Sequence, residues 1–205
     1  MIAALFIQTG GCYFGLEEVD PWDELRDARR YAGPYSVVAH PPCQRWGRYA
    51  ESHPIIGHCG FRGDDKGCFA HALWAVRTFG GVIEHPKDSL AWEWFGLKRP
   101  AAQGWTAADS FGGFTCQVEQ AHYGHFSRKP TWLYAVSKKP LPTLVWGRAA
   151  QRLPQYAVER YGYVKARRIG VMAAVGGKDK TRIREATPAA FRDVLITIAT
   201  GSANG

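Results

Sequence analysis

The segment Val37-Val38-Ala39-His40-Pro41-Pro42-Cys43-Gln44 carries a cysteine directly after an apolar run and two prolines. The run reads as a buried strand, which Pro41 and Pro42 stop by removing backbone donors and fixing φ. Cys43 is then displayed from a stiff turn at the strand's C-terminal edge, the edge where open α/β sheets bind ligands. A thiol held there is a candidate nucleophile; the plain alternative is a buried structural cysteine. A second apolar run, Val82-Ile83-Glu84, ends in a carboxylate and is closed by His85-Pro86. Glu84 is a candidate acid–base group or the partner of a structural arginine. Arg128-Lys129 follow a turn, as functional cations or as plain exposed charges. His53, His58, Cys59, Cys68 and His71 are residue types that zinc takes. They lack CxxC or HxxxH spacing, and Cys68 and His71 open an apolar-faced helix, so no metal is expected. His85 and His122 read as structural histidines.

Strand–helix alternation must position these groups. Residues 2–8 read as a first strand, followed by the glycine turn Thr9-Gly10-Gly11, which lets a backbone approach a ligand closely. Residues 21–31 read as a short helix with Asp20 as N-cap and Pro21 in its first position. Residues 35–39 form the strand before Cys43. Residues 51–67 are loop-like, and Cys68–Phe79 has apolar residues at helical spacing, ended by Gly80-Gly81. Residues 82–84 are a strand, 89–95 a short aromatic helix, and 98–113 a punctuated connection. Residues 115–123 and 131–136 are further strands. Thr187-Pro188 opens a last helix with Phe191, Val194, Leu195 and Ile198 on its apolar face. The alternation predicts an α/β fold. Residues 1–137 form the core and 138–185 a basic subdomain or excursion. Residues 186–205 return to the core as a helix.

The chain has 205 residues and a formal net charge of +8. Positive charge concentrates in residues 126–184, whose only acids are Glu159 and Asp179. Such a stretch, interleaved with Trp146, Tyr156, Tyr161 and Tyr163, suits a phosphate backbone with aromatic faces for bases. The plain alternative is a solvated basic face. No apolar run reaches the ~20 residues of a membrane helix, and the start reads as a strand rather than a leader. Five cysteines without a framework spacing read as reduced thiols, consistent with a cytoplasmic setting.

Three segments, in order, resemble the cytosine-C5 DNA methyltransferases, in a compact form associated with phages and prophages. Leu5-Phe6-Ile7-Gln8-Thr9-Gly10-Gly11-Cys12-Tyr13-Phe14-Gly15-Leu16-Glu17 is similar to the family's opening motif, with Gln8 where the family has glycine. Pro41-Pro42-Cys43-Gln44 resembles the nucleophile motif, and Val82-Ile83-Glu84-His85-Pro86 the strand ending in the catalytic carboxylate, with His85 in place of asparagine. Tyr123-Gly124-His125-Phe126-Ser127-Arg128-Lys129-Pro130-Thr131 is a looser match to the arginine-bearing motif. The resemblance covers residues 5–135. The spacer between glycine turn and Cys43 is much shorter than in the family, leaving room for one helix and a loop.

The resemblance implies a Rossmann-like methyltransferase sheet, truncated in its cofactor half. It implies that Cys43 adds to C6 of a flipped pyrimidine, that Glu84 meets N3, and that Arg128 holds O2 or orients Cys43. His40, Arg45 and Arg128 are the candidates to activate the thiol. S-adenosylmethionine would lie against Phe6, Gly10 and Gly11. Asp20 or Asp23 would hold its ribose, with Asp27 a further candidate. Gln44, Arg45, Lys129, Arg167 and Arg168 would contact DNA. Three other readings stand beside this one: a non-catalytic DNA binder on a reduced methyltransferase fold, a cysteine-dependent pyrimidine modification without a methyl donor, and a cysteine enzyme on small substrates.

Overall fold

A computed structural model describes residues 1–47, 50, 60–150, 153, 155–169 and 185–202, with backbone alone at 168 and 169. It forms an α/β fold around one mixed seven-stranded sheet. The strands are β1 (Ile2–Leu5), β2 (Val19–Trp22), β3 (Ser36–Ala39), β4 (Gly81–Pro86), β5 (Thr106–Ala107), β6 (Phe114–Glu119) and β7 (Pro130–Val136). Their order across the sheet is β2-β1-β3-β4-β7-β6-β5. β1 to β4 are mutually parallel, whereas β7 runs against both β4 and β6. The C-terminal ends of β1, β3 and β4 therefore share an edge with the end of β6 and the start of β7.

Among the described residues the helices are α1 (Cys68–Phe79), α2 (Leu90–Trp94), α3 (Gln155–Tyr161), α4 (Tyr163–Ile169) and α5 (Ala189–Ser202). One sheet face buries Phe69, Ala72, Leu73 and Val76 of α1 with Ala91 and Trp92 of α2. The opposite face receives Phe191, Leu195, Ile198 and Ala199 of α5. Helices thus cover both faces of the central parallel strands, as a parallel sheet requires. Apolar side chains at both strand phases follow: Val37 and Ala39 enter one core and Val38 the other. Among the described residues no helix is long and apolar enough to cross a membrane.

Three elements differ from expectation. The first strand ends at Leu5, because Phe6 takes φ 57° and turns the chain out of the sheet. Residues 19–22 form strand β2 rather than the start of a helix, and only residues 28–30 make a 3-10 turn. Asp20-Pro21 has the chemistry of a helix start, but pairing with β1 outweighs it. The carbonyls of Glu18 and Trp22 face β1, so by strand alternation Pro21 directs its missing N–H to the open sheet edge, where it costs no ladder bond. The short spacer before Cys43 thus holds one strand and a 3-10 turn, not a helix. Residues 115–123 are also split: β6 stops at Glu119, and Gln120–Tyr123 is 3-10.

The basic region begins on the core. Trp105 Nε1 donates to the Pro142 carbonyl, Val145 N to the Tyr123 hydroxyl, and Ala149 N to Glu119. The helices α3 and α4 follow, in a stretch that reads as irregular in sequence.

Candidate active site

The glycine turn, the thiol and the carboxylate come from the ends of three adjacent parallel strands. β1 leads left to β2 and β3 lies on its other side, so the gap between the ends of β1 and β3 is the switch point where such sheets take ligands. Beyond β1, Gly11 N donates to the Gln8 carbonyl at 2.9 Å, closing a tight turn. Gly10 at its tip has φ 67° and open space on the side where a Cβ would stand.

Beyond β3, Cys43 begins a turn closed by the Trp46 N–H on the Cys43 carbonyl, 3.0 Å. Trp46 is the anchor: its indole is buried and donates to Asp65 at 2.8 Å, and its carbonyl accepts from Leu90 N at the start of α2. The turn is thereby fixed to the core while Cys43 itself stays partly exposed. Cys116 shows the contrast: it is fully buried, and burial pushes its thiol far up. Cys12 and Cys68 are also raised by burial.

Glu84, the fourth residue of β4, lies on the α5 face and is 9% exposed. Its Oε2 is 3.1 Å from His40 Nδ1, and its Oε1 accepts from Gln120 Nε2 at 3.0 Å and Thr131 Oγ1 at 3.3 Å. A carboxylate has about four acceptor positions, so one is left for a ligand. Burial pushes this carboxyl up, but the His40 hydrogen bond and charge, with the Lys129 charge, more than offset it and hold it near 2. Glu84 is accordingly ionised at neutral pH.

Lys129 brings a positive charge to this edge. Its ammonium lies within electrostatic reach of Glu84, Cys43, Glu185 and Cys12, while burial lowers its affinity for the proton. The carbonyls of Glu185 and Ala186 accept from its Nζ at 3.2 and 2.9 Å, tying it to the approach to α5. Its φ of 42° is unusual for a side-chain-bearing residue, and such backbone strain costs of order 1–3 kcal/mol and collects at functional sites.

The expected site is only partly assembled. Cys43 and Glu84 face one edge, but the bonds of Arg128 are made elsewhere: its Nε donates to the Ala149 carbonyl at 3.0 Å and stands 3.9 Å from Glu119. Arg128, to which the resemblance gives the base O2 or the orientation of Cys43, is thus held at Ala149 and near Glu119, while the charge of the next residue, Lys129, acts on Cys43 and Glu84. His40 is bound between Tyr13 and Glu84. Arg45 donates to the Ala50 carbonyl at 3.4 Å and its own carbonyl takes Gly63 N, so it braces the following loop. Gln44 is exposed beside Cys43.

Asp23 lies just past β2. Its carboxylate accepts from Thr9 Oγ1 at 2.7 Å and from the N–H groups of Leu25 and Arg26, both at 3.1 Å. The Thr9 bond leads the lowering of its pKa, and the same bond ties β2 to the glycine turn. Asp20 is turned to Trp22 Nε1 and to Arg26, and Asp27 caps the 3-10 turn and pairs with Arg29. Phe6 packs against the α1 core, edge-on to His71. Arg167 is exposed on α4; the side chain of Arg168 and residues His53, His58 and Cys59 lie outside the described residues. Among those described, no group of three ligating residues is placed to hold a metal. His122 Nε2 donates to the Gly147 carbonyl at 3.1 Å, as a structural residue.

Sequence reading missed Tyr13, His40 as a partner of Glu84, Gln120 and Thr131. The one local signal was Glu119-Gln120, a polar pair ending an alternating strand. No family model, curated protein or solved structure matches the chain.

Proposed function

We propose that the protein is a DNA base-modifying transferase in which Cys43 attacks a pyrimidine at C6. The observation that carries this reading is that β3 and β4 are adjacent parallel strands, so that Cys43, just past one, and Glu84, near the end of the other, stand at one sheet edge, where the Lys129 charge acts on both. A nearby cation favours the thiolate, the nucleophilic form. The new C–S bond forms from the thiolate pair, and the ring's C5–C6 π electrons move toward C5 and N3. Glu84 keeps one acceptor position for the amino group of the base or for a proton that it passes to N3 as charge builds there. C5 then attacks the electrophile, whose carrier departs with its bonding pair; a water molecule takes the C5 proton, and the C–H pair re-forms the C5–C6 double bond as the Cys43 sulfur leaves as thiolate.

S-adenosylmethionine fits the β1–β2 side of the edge. Gly10 leaves room for a close approach, and Asp23 has one of its acceptor positions left for a ribose hydroxyl. Asp20 is turned to Trp22 Nε1 and to Arg26, whereas Asp23 is the one tied to the glycine turn through Thr9. The cofactor would supply the methyl group. The arrangement of strands, with a parallel half and an antiparallel β7, supports a Rossmann-like methyltransferase sheet of reduced size.

An oligonucleotide carrying 5-fluorocytosine tests the reading. Fluorine at C5 cannot leave as a proton does, so the expected result is a denaturant-resistant adduct that disappears in Cys43→Ser. Normal DNA binding with no adduct in any cytosine context, with or without S-adenosylmethionine, overturns it and leaves a binding protein.

A further inference from the structure

The loop after β1 reaches across the sheet edge to the carboxylate of β4. Gly11 N and Phe14 N close successive turns on the carbonyls of Gln8 and Gly11, at 2.9 and 3.0 Å. A Cβ at Gly11 would meet the Gln8 carbonyl at 2.8 Å, so the turn is tight. Arg192 of α5 holds the next residue, donating to the Cys12 carbonyl at 2.8 Å. Tyr13 is thereby placed in the core on the α5 side, 3% exposed. Its ring lies against that of His40, centroids 5.4 Å apart, and its hydroxyl is 2.9 Å from His40 Nε2. The other ring nitrogen, Nδ1, stands 3.1 Å from Glu84 Oε2.

The direction of these two bonds follows from the groups that make them. Glu84 is ionised and can only accept, so the hydrogen between it and His40 sits on Nδ1. In the neutral imidazole Nε2 is then an acceptor, and Tyr13 donates to it. Burial keeps the phenol protonated, so that donor persists. Which nitrogen of a histidine carries hydrogen is set by the bond that the other makes. Tyr13 and Glu84 therefore hold one tautomer from the two sides of the ring. We infer that Tyr13 is a positioning residue for the Cys43 reaction: through His40 it fixes the Glu84 carboxylate in the orientation that meets the base. The turn after β1 thus serves the base side of the site as well as the cofactor side. The inference rests on the Cys43 reading and adds to it a residue that acts at one remove. Without the hydroxyl, Nε2 lacks its donor, the ring turns to find another, and Nδ1 leaves Oε2. Gln120 and Thr131 both bind Oε1, so Oε2 is then free to swing.

The test compares the full chain with Tyr13→Phe and, as a control, Tyr31→Phe. Tyr31 is also buried, and its hydroxyl donates to the Tyr35 carbonyl, just ahead of β3 and at the other end of that strand from Cys43. The rate of 5-fluorocytosine adduct formation is measured against oligonucleotide concentration with S-adenosylmethionine present. Tyr13→Phe should lower the saturating rate roughly tenfold and leave the half-saturating concentration within about twofold of the parent, since misplacement costs the transition state rather than binding. Nitrogen NMR of histidine-labelled protein, recorded at alkaline pH, reads which ring nitrogen carries hydrogen; the His40 signals are assigned by their loss in His40→Asn. Hydrogen should sit on Nδ1 in the parent and in Tyr31→Phe, and shift toward Nε2 in Tyr13→Phe. A parental rate in Tyr13→Phe, an equal loss in Tyr31→Phe, or hydrogen kept on Nδ1 in Tyr13→Phe overturns the inference. An adduct made equally fast by parent and Tyr13→Phe removes the role of Tyr13 alone. With no adduct in the parent the Cys43 reading falls, and this role falls with it.

Discussion

His40 Nδ1 stands 3.1 Å from Glu84 Oε2, and His40 Nε2 stands 2.9 Å from the Tyr13 hydroxyl. One imidazole thereby joins the turn after β1, the end of β3 and the end of β4. Tyr13 is almost wholly buried, and burial pushes its hydroxyl well up, so it stays a neutral partner. The pairing explains how a carboxylate this deeply placed remains ionised. Removing one partner of a buried charged pair leaves the other uncompensated.

Acid unfolding should report the Glu84 pairing. The carboxyl has its ordinary value of 4.5 in the unfolded chain and about 2 in the fold. A depressed carboxyl stabilises the fold above the unfolded value, and that stabilisation is lost as pH falls from about 4.5 toward 2. His40→Ala deletes the bond that holds the carboxylate down, so it should flatten this slope and lower stability at pH 7 by roughly 1–3 kcal/mol. Urea midpoints between pH 2 and 7 check it; a parental pH slope in His40→Ala would refute the role given to the pairing.

His85 should act in a different window. It is 1% exposed, stacked near Trp92 and edge-on to Phe69, with the Pro41 and Pro42 carbonyls beside its ring. Burial lowers it from 6.5 to about 4. The unfolded chain takes the proton first, so stability is present above 6.5 and lost as pH falls toward 4. His85→Phe keeps an aromatic ring in the aromatic cluster and removes that loss. Melting temperatures of parent and variant should match more closely at pH 7.5 than at pH 5, where the variant gains; parallel profiles would contradict this.

The sequence carried the fold wherever information was local. α1 was legible because Phe69, Ala72, Leu73 and Val76 recur at helical spacing and Gly80 closes the helix at φ 76°. The strand ends bearing Cys43 and Glu84 were legible because apolar runs stop there at proline. β2 was not, since Asp20-Pro21 has the local chemistry of a helix start and only the partner strand decides otherwise. The same limit hid the site's polar half. His40 meets Glu84 across 44 positions. Arg128 turns to the Ala149 carbonyl, 21 positions on, which no residue type announces. The helices α3 and α4 lie among charges that mask their periodicity.

Cys43 should be the fastest of the described thiols to alkylate at neutral pH. It is partly exposed with Lys129 close by, whereas burial raises Cys12, Cys68 and Cys116. Iodoacetamide labelling followed by peptide mass spectrometry should mark Cys43 first and Cys116 last. Lys129→Gln should slow Cys43 roughly three- to tenfold by removing the cation that favours the thiolate. The same rate in the variant would mean that the lysine serves only to tie the α5 approach.

The cofactor side turns on the link between Asp23 and Thr9, 2.7 Å long. Because that bond lets β2 set the shape of the glycine turn, the two halves of the proposed S-adenosylmethionine site can be separated by substitution. Gly10→Val fills the open space at the turn tip and forces a branched residue to φ 67°, where a side chain costs roughly 1–2 kcal/mol. It should abolish binding outright. Thr9→Val removes only the tie, leaving Asp23 free to turn away, and should weaken binding roughly tenfold, the loss of about one hydrogen bond. Calorimetry with S-adenosylmethionine measures both. Heat in the parent that survives Gly10→Val would place the ligand away from this turn. No heat in the parent at millimolar ligand would leave the Cys43 chemistry to a different electrophile.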